Sequence, residues 1–282
     1  MTQILVISAI IVIAALSAVI IYFISQDAAK GYTPCNCVIF RMDDIHDFWV
    51  EPGQLTVMDL FLSKNLSLSL GVIMHYIGTD PKLIEKIQEG NHRGLFELAL
   101  HGWDHVDYTT LSEQEQHDSL QMANEKMREI FGNRSNIFIP PFNTFDDSTL
   151  SAMHQLHLGI ISGQDGKDQY RYFISNGRGT QYGGDQYQIY HMPQMTSFED
   201  FNNGYLIRVP VPQILNDVDY SIKLYGYAVI TMHPQSFVKQ KQDGDFTQIL
   251  DKQQIKDLTS LIDSIKSRNL KITTFSKVIQ AG

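Results

Sequence analysis

Several short stretches carry side chains able to do acid–base or metal chemistry. They read RMDDIHD (41–47), IMHY (73–76), HGWDH (101–105), IPPFN (139–143) and ITMHP (230–234). His101 and His105 lie four apart, directly after the apolar run FELAL. A turn that coils after a strand can aim both imidazoles at one point. Two histidines and one carboxylate, with a position left open, form a standard set for a catalytic divalent cation. Asp43 or Asp44 can supply the carboxylate. The remaining aspartate is then placed where a general base is needed.

Taken singly, each stretch has a structural explanation. Paired aspartates after a strand commonly form a turn or cap a helix, and a histidine at a strand end is commonly a hydrogen-bonded polar residue. What binds them together is position, for each follows a short apolar β-prone run. The runs are CVIFRMD, LSLGVIM, LFELALH, NIFIP, LGIIS, YAVITMH and LKITTF. Several are apolar almost throughout, as strands buried on both faces are. Helical patterns lie between them. DPKLIEKIQEG has Asp80 as cap and Pro81 in its first turn, and LSEQEQHDSLQMANEKMREIFG opens with the capping box Ser112–Glu115. DDSTLSAMHQLHLG is a third, and FTQILDKQQIKDLTSLIDSIKSRN reads as one long final helix. Repeated strand–helix units predict a parallel sheet with right-handed crossovers, and this many suit a closed α/β barrel. A barrel brings the C-terminal ends of its strands to one mouth, where Asp43, Asp44, His75, His101, His105 and His233 would meet.

The rest of the chain is less regular. Residues 163–219 are rich in Gly, Gln, Tyr and Asn, and read as long loops with one short strand, YQIYHM. The apolar run 4–24 contains no charge and is long enough to span a bilayer. It predicts a membrane anchor, or an uncleaved signal, over 1–25, a tether over 26–37 and one catalytic domain over 38–282. Cys35 and Cys37 sit two apart, which reads as a pair of free or capped thiols at a strand start, because so tight a disulfide would be strained. With 22 Lys+Arg against 31 Asp+Glu, a net charge of −9, and no basic stripe, nucleic acid is not an expected partner.

In this order, RMDDI, HGWDH, FIPPFN and ITMHP resemble the polysaccharide deacetylases of carbohydrate esterase family 4. They are closest to a divergent branch with DDI/V, ALHG-x-x-H and PPFN. The resemblance covers residues 36 to 280. It implies a distorted (β/α)7-type barrel, one divalent metal taken as zinc, and an acetylated glycan as substrate. It also implies roles. Asp43 would be the catalytic base; Asp44, His101 and His105 the metal ligands; His233 the acid that protonates the leaving amine. Pro141, Phe142, Asn143 and Trp103 would line the sugar groove, with a backbone N–H near Phe142 at the oxyanion. Amide hydrolysis needs these parts: an activated water, a base to take its proton, and an acid, because an amine leaves poorly without one.

The chain also departs from the family pattern. The family's third motif usually carries an arginine before its Pro–aromatic pair, absent from IFIPPFN. Arg41 shares a strand face with Asp43, since side chains alternate, and could take its place. The fourth motif, an aspartate with a nearby aromatic, has no convincing match; SGQDGKDQY, with Asp165, stands in about the right region. The expected function is therefore metal-dependent removal of N-acetyl groups from a sugar polymer or oligomer, by a domain anchored at the membrane and facing outward. Two alternatives are hydrolysis of another amide or ester in the same pocket, and a catalytically silent glycan-binding domain.

Overall fold

The computed structural model describes residues 35–163, 174–175, 178–179, 187, 189–202 and 204–281. These fall in one compact unit, Pro34–Gly282. The strands are β1 (Cys37–Ile45), β2 (Leu68–Val72), β3 (Phe96–Leu100), β4 (Ile137–Phe138), β5 (Ile160–Ile161), β6 (Ile174–Ser175), β7 (Arg178–Gly179), β8 (Tyr190–His191), β9 (Thr196–Ser197), β10 (Glu199–Asn202), β11 (Tyr205–Arg208), β12 (Tyr227–Met232), β13 (Val238–Gln240), β14 (Phe246–Leu250) and β15 (Lys271–Thr273). The helices are α1 (Glu51–Ser63), α2 (Pro81–His92), α3 (Glu113–Phe131), α4 (Asp147–Gln155), α5 (Val211–Tyr225), α6 (Lys252–Ser267) and α7 (Phe275–Ala281).

One nine-stranded sheet runs β8-β5-β4-β3-β2-β1-β12-β9, with β15 also paired to β1. Its pairings are all parallel. This is the α/β sheet of a (β/α)n barrel, as expected. A pairing between β8 and β9, which would close it, does not occur among the described residues. The central strands explain their own composition. Every residue from Cys37 to Met42 and from Tyr227 to Met232 is buried, so both faces are largely apolar, with Arg41 and Thr231 the exceptions. Three further hairpins stand apart from the sheet: β6–β7, β10–β11 and β13–β14.

The helix ends follow the cap chemistry. Asp80 accepts from the Lys82 and Leu83 N–H groups, and Ser112 and Glu115 close a capping box. Three expectations are corrected. Phe246–Leu250 is a strand paired with β13, and the last long helix begins only after Asp251, which caps it. Val211–Tyr225, which begins inside the region read as loop, is a helix; Pro212 in its first turn lacks an N–H at a position where no donor is needed. Cys35 and Cys37 are disulfide-bonded. Asn36 between them takes a left-handed φ of 46°, which brings their Cα atoms to 5.2 Å, within bridging range.

Among the described residues, no helix is long and apolar enough to cross a membrane. The run 4–24, read as an anchor, lies outside them, as do most of the tether and Asp165.

Candidate metal and acid–base site

The C-terminal ends of β1, β3 and β12 meet at one mouth. Strict alternation along β1 would send Asp43 and Asp44 to opposite faces. Instead the β1–β2 register shifts between Met42 and Ile45, and Asp44 adopts a left-handed φ of 58°. Such an irregularity re-aims a side chain, and here it turns Asp44 toward the histidines. Its Oδ1 lies 3.2 Å from His101 Nε2 and 3.2 Å from His105 Nε2.

The turn HGWDH supplies the second half of the geometry. Gly102 sits at φ 82°, and a Cβ there would fall 2.7 Å from Asp104 O. Only glycine takes this conformation without strain, and it lets His105 fold back beside His101, ring centroids 5.1 Å apart. His101 Nδ1 lies 2.8 Å from the Ile139 carbonyl, which can only accept, so Nδ1 carries the proton and Nε2 a lone pair. That lone pair faces the Asp44 carboxylate, and Asp44 Oδ1 is buried with no hydrogen-bond partner.

Electron-rich atoms this close and this buried call for a cation between them. The ligand atoms of Asp44, His101 and His105 all lie within 4.8 Å of one another. The donor set suits a catalytic divalent cation. The residues present therefore fit the metal.

Asp43 has a different partner. Arg41 Nε donates to its two oxygens at 2.8 and 3.0 Å, and Nη2 to Oδ2 at 2.5 Å, with both residues almost fully buried. Burial opposes the carboxylate charge, but the Arg41 guanidinium outweighs it and holds Asp43 below the usual carboxylate range. Arg41 is itself fixed by Ser162, through its carbonyl at 2.8 Å and Oγ at 2.9 Å, and by Asn143 Oδ1 at 2.6 Å. Arg41 thus stands beside Asp43 as strand alternation suggested. Asn143, expected in the sugar groove, is committed to Arg41. Gly71 on β2 leaves room for this pair, since a Cβ there would fall 3.0 Å from Asp43 Oδ1.

His233 closes the mouth from β12. Its Nδ1 lies 2.5 Å from Glu199 Oε1, on β10. Burial alone would depress its pKa, but the Glu199 hydrogen bond and charge, with Asp44 and Asp43, push it up to about 9. Glu199 was not legible in the sequence. It sits in SFEDF, within the stretch read as loop, and only the folded hairpin carries it to His233.

The remaining residues divide. Phe142 is 60% exposed and packs against His105, centroids 4.7 Å apart; Pro141 beside it is buried. Trp103 was also expected in the sugar groove. It stacks on His75 and has Lys126 over its ring, in a hollow against α3.

Residues 30–161 match the family model described as polysaccharide deacetylase. An uncharacterized 30.6 kDa protein of Geobacillus stearothermophilus is 25% identical over 96 residues, which are 34% of this chain and 35% of that relative. The match therefore spans about a third of the curated relative's length. Three solved structures share the fold. The Xyl-CE4 domain of a multidomain xylanase from the hindgut metagenome of Trinervitermes trinervoides is 15% identical, covers 87% of this chain and 90% of its own, and gives a TM-score of 0.54. A family 4 acetyl xylan esterase from Clostridium thermocellum in complex with a cobalt ion gives 14%, 87%, 91% and 0.55. The Bc1960 peptidoglycan N-acetylglucosamine deacetylase gives 13%, 89%, 90% and 0.57. Over residues 30–161, just under half of its length, this chain is thus similar to the polysaccharide deacetylase family, and it shares the fold of the three solved structures.

Proposed function

We propose that this chain is a metal-dependent hydrolase that removes N-acetyl groups from an acetylated sugar polymer or oligomer, on a distorted (β/α)7-type barrel. The observation that carries the reading is the unpartnered Asp44 Oδ1, 3.2 Å from two imidazole nitrogens, with an Arg-held carboxylate and a Glu-held histidine beside it. Asp44, His101 and His105 would hold the cation, taken as zinc. Bound there, it supplies a Lewis acid that makes water a nucleophile near neutral pH.

The chain's own residues do the rest. Asp43 takes the water's proton. Its depressed pKa keeps it ionised, and the Arg41 fork holds both its oxygens in place. His233 gives a proton to the leaving nitrogen. With Nδ1 tied to Glu199, its Nε2 is the position from which that proton goes. The Phe142 N–H is assigned to the developing oxyanion; that of Asn143 is already given to Pro140 O at 3.0 Å. The His233–Glu199 pair favours an amide over an ester, because an alkoxide leaves with less need of a proton than an amine. Phe142 forms one wall of the sugar site.

The run 4–24 is proposed to hold the domain at a membrane with the barrel outside, where acetylated polymers lie. Acetate release from a panel of N-acetylated and O-acetylated glycans tests the reaction. Release from N-acetylglucosamine oligomers supports it. Release from O-acetylated xylan alone would make the chain an esterase, and release from none of them would leave the glycan-binding alternative.

A further inference from the structure

The two carboxylate oxygens of Asp44 are held differently. Oδ1 has no hydrogen-bond partner and lies 3.2 Å from each imidazole nitrogen. Oδ2 accepts from Gln235 Nε2 at 3.1 Å. Gln235 is buried in the turn Pro234–Phe237, directly after His233. Its amide is oriented by a second contact, for Gln235 Oε1 lies 3.4 Å from Trp49 Nε1. An indole nitrogen can only donate, so it takes the amide oxygen and leaves the amide NH2 for the carboxylate.

Trp49 is itself presented by a strained loop. Phe48 and Val50, on either side of it, are bulky residues with left-handed φ values of 58° and 38°. Such strain persists only where surrounding contacts over-determine it, and it collects at functional sites. The contacts are present. Gln54 Nε2 donates to the His46 and Trp49 carbonyls at 2.8 and 2.5 Å, and Asp47 N–H donates to Tyr76 O at 3.0 Å. Gly53, in the first turn of α1, adds a close approach. A Cβ there would fall 2.5 Å from the Pro234 carbonyl oxygen, so the start of α1 seats directly on the turn that carries Gln235. Strain, clamp and close approach converge on the hydrogen bond from Trp49 to Gln235, and through it on Asp44 Oδ2.

We propose that Gln235, set in place by Trp49, is a positioning residue that decides which cation the site prefers. By engaging Asp44 Oδ2 it leaves Oδ1 as the one carboxylate oxygen offered beside two imidazole nitrogens. Imidazole donors suit zinc, whereas carboxylate oxygens suit manganese, magnesium and calcium. Two nitrogens and one oxygen therefore bias the site toward zinc, and freeing Oδ2 shifts the balance toward manganese. The inference rests on the metal reading above and deepens it: selectivity is set by a residue that does not touch the ion.

The test reads cation affinity rather than turnover. Full-length wild type, Gln235→Met and Trp49→Phe are stripped with a chelator, and Kd for zinc and for manganese is measured by competition with a chromophoric indicator. Methionine keeps the length of glutamine without the donor. Phenylalanine keeps a ring against His46 and Phe246 without the indole N–H. Both variants should fold with a Tm close to wild type. Outer partners of a metal ligand are worth about 10–100-fold in affinity, so Gln235→Met should bind zinc more weakly by about that factor. Manganese should lose less, so that the ratio of manganese Kd to zinc Kd falls about tenfold. Trp49→Phe should move the ratio the same way by a smaller factor, and it carries the test alone if Gln235→Met does not fold. A change acting only through the fold would weaken both ions alike or neither, and either result overturns the proposal. The two readings fail separately. A wild type that binds neither ion overturns the metal site itself. A wild type that binds zinc, with the ratio unchanged in both variants, overturns the role of Gln235 alone. A shifted ratio without acetate release keeps that role and removes the deacetylase.

Discussion

Glu199 Oε1 lies 2.5 Å from His233 Nδ1, and the Glu199 side chain is completely buried. A carboxylate in that position does two things to the imidazole. It fixes the ring's orientation, and it holds the proton on to higher pH. His233 is pushed up to about 9 from an ordinary 6.5. With a raised pKa, the pair's stabilisation is fully present below about 6.5 and is lost as pH rises through about 9. In metal-free protein, an NMR titration should place the His233 transition near 9, and Glu199→Gln should bring it down toward 6.5. The same variant should move the alkaline limb of the kcat/KM profile to lower pH. An unmoved limb would mean that His233 is not the acid, or that Glu199 does not tune it.

The base and the acid should be separable from metal binding. Asp43→Asn and His233→Ala leave Asp44, His101 and His105 in place, so both should keep stoichiometric zinc by elemental analysis. Each should lose about 10²–10⁴-fold in kcat with a modest change in KM. Loss of zinc from Asp43→Asn but not from Asp44→Asn would exchange the roles of the two aspartates.

Arg41→Met removes the only cation paired with the buried Asp43 carboxylate among the described residues. Breaking a buried pair from one side costs about 3–5 kcal/mol. In the wild type, the depressed Asp43 pKa contributes stability that is present above its ordinary pKa of 3.8 and is lost as pH falls below it. In the variant, burial acts unopposed by Arg41 and the sign reverses. The stability gap between the two proteins should therefore widen as pH rises through the carboxylate range, as urea melts would show. A gap independent of pH would mean that Arg41 acts through packing alone. Turnover should also fall, though less than in Asp43→Asn.

Gly71→Ala tests the same carboxylate sterically. The added methyl would sit 3.0 Å from Asp43 Oδ1. Over-packing a core site costs about 1–3 kcal/mol, and a displaced base can cost about 10²-fold in rate. Zinc content should stay at wild-type level. Wild-type turnover in this variant would show that the Asp43 position is not critical.

What could be read in the chain, and what could not, follows from range. Asp43, Asp44 and His101 announce themselves because they end apolar runs, which a parallel sheet brings together, and His105 by its spacing from His101; that Asp44 rather than Asp43 faces the metal came only from the family resemblance. Arg41 was legible because the family pattern calls for an arginine beside the base and strand alternation puts Arg41 on the face of Asp43, two residues away. Glu199 was not: its stretch has no periodicity, and it reaches His233 across 34 residues of chain. Asn143 and Trp103 lie within recognisable motifs, yet a motif does not say which way a side chain turns. Arg41 claims the first, and His75 with Lys126 the second. The helix Val211–Tyr225 was hidden behind its prolines, and β14 behind the helix that follows it directly. The Cys35–Cys37 bridge depends on one left-handed residue, Asn36, which no spacing rule reveals.

The central claim is that hydrolysis depends on a cation held by Asp44, His101 and His105. It is tested most directly by acetate release from N-acetylglucosamine oligomers as zinc is returned to chelator-stripped protein, with elemental analysis on the same samples. Release should be lost on stripping, and should recover in proportion to zinc up to one ion per chain in the wild type. In His101→Ala and His105→Ala it should not recover. Undiminished acetate release from protein shown to be metal-free would contradict the account.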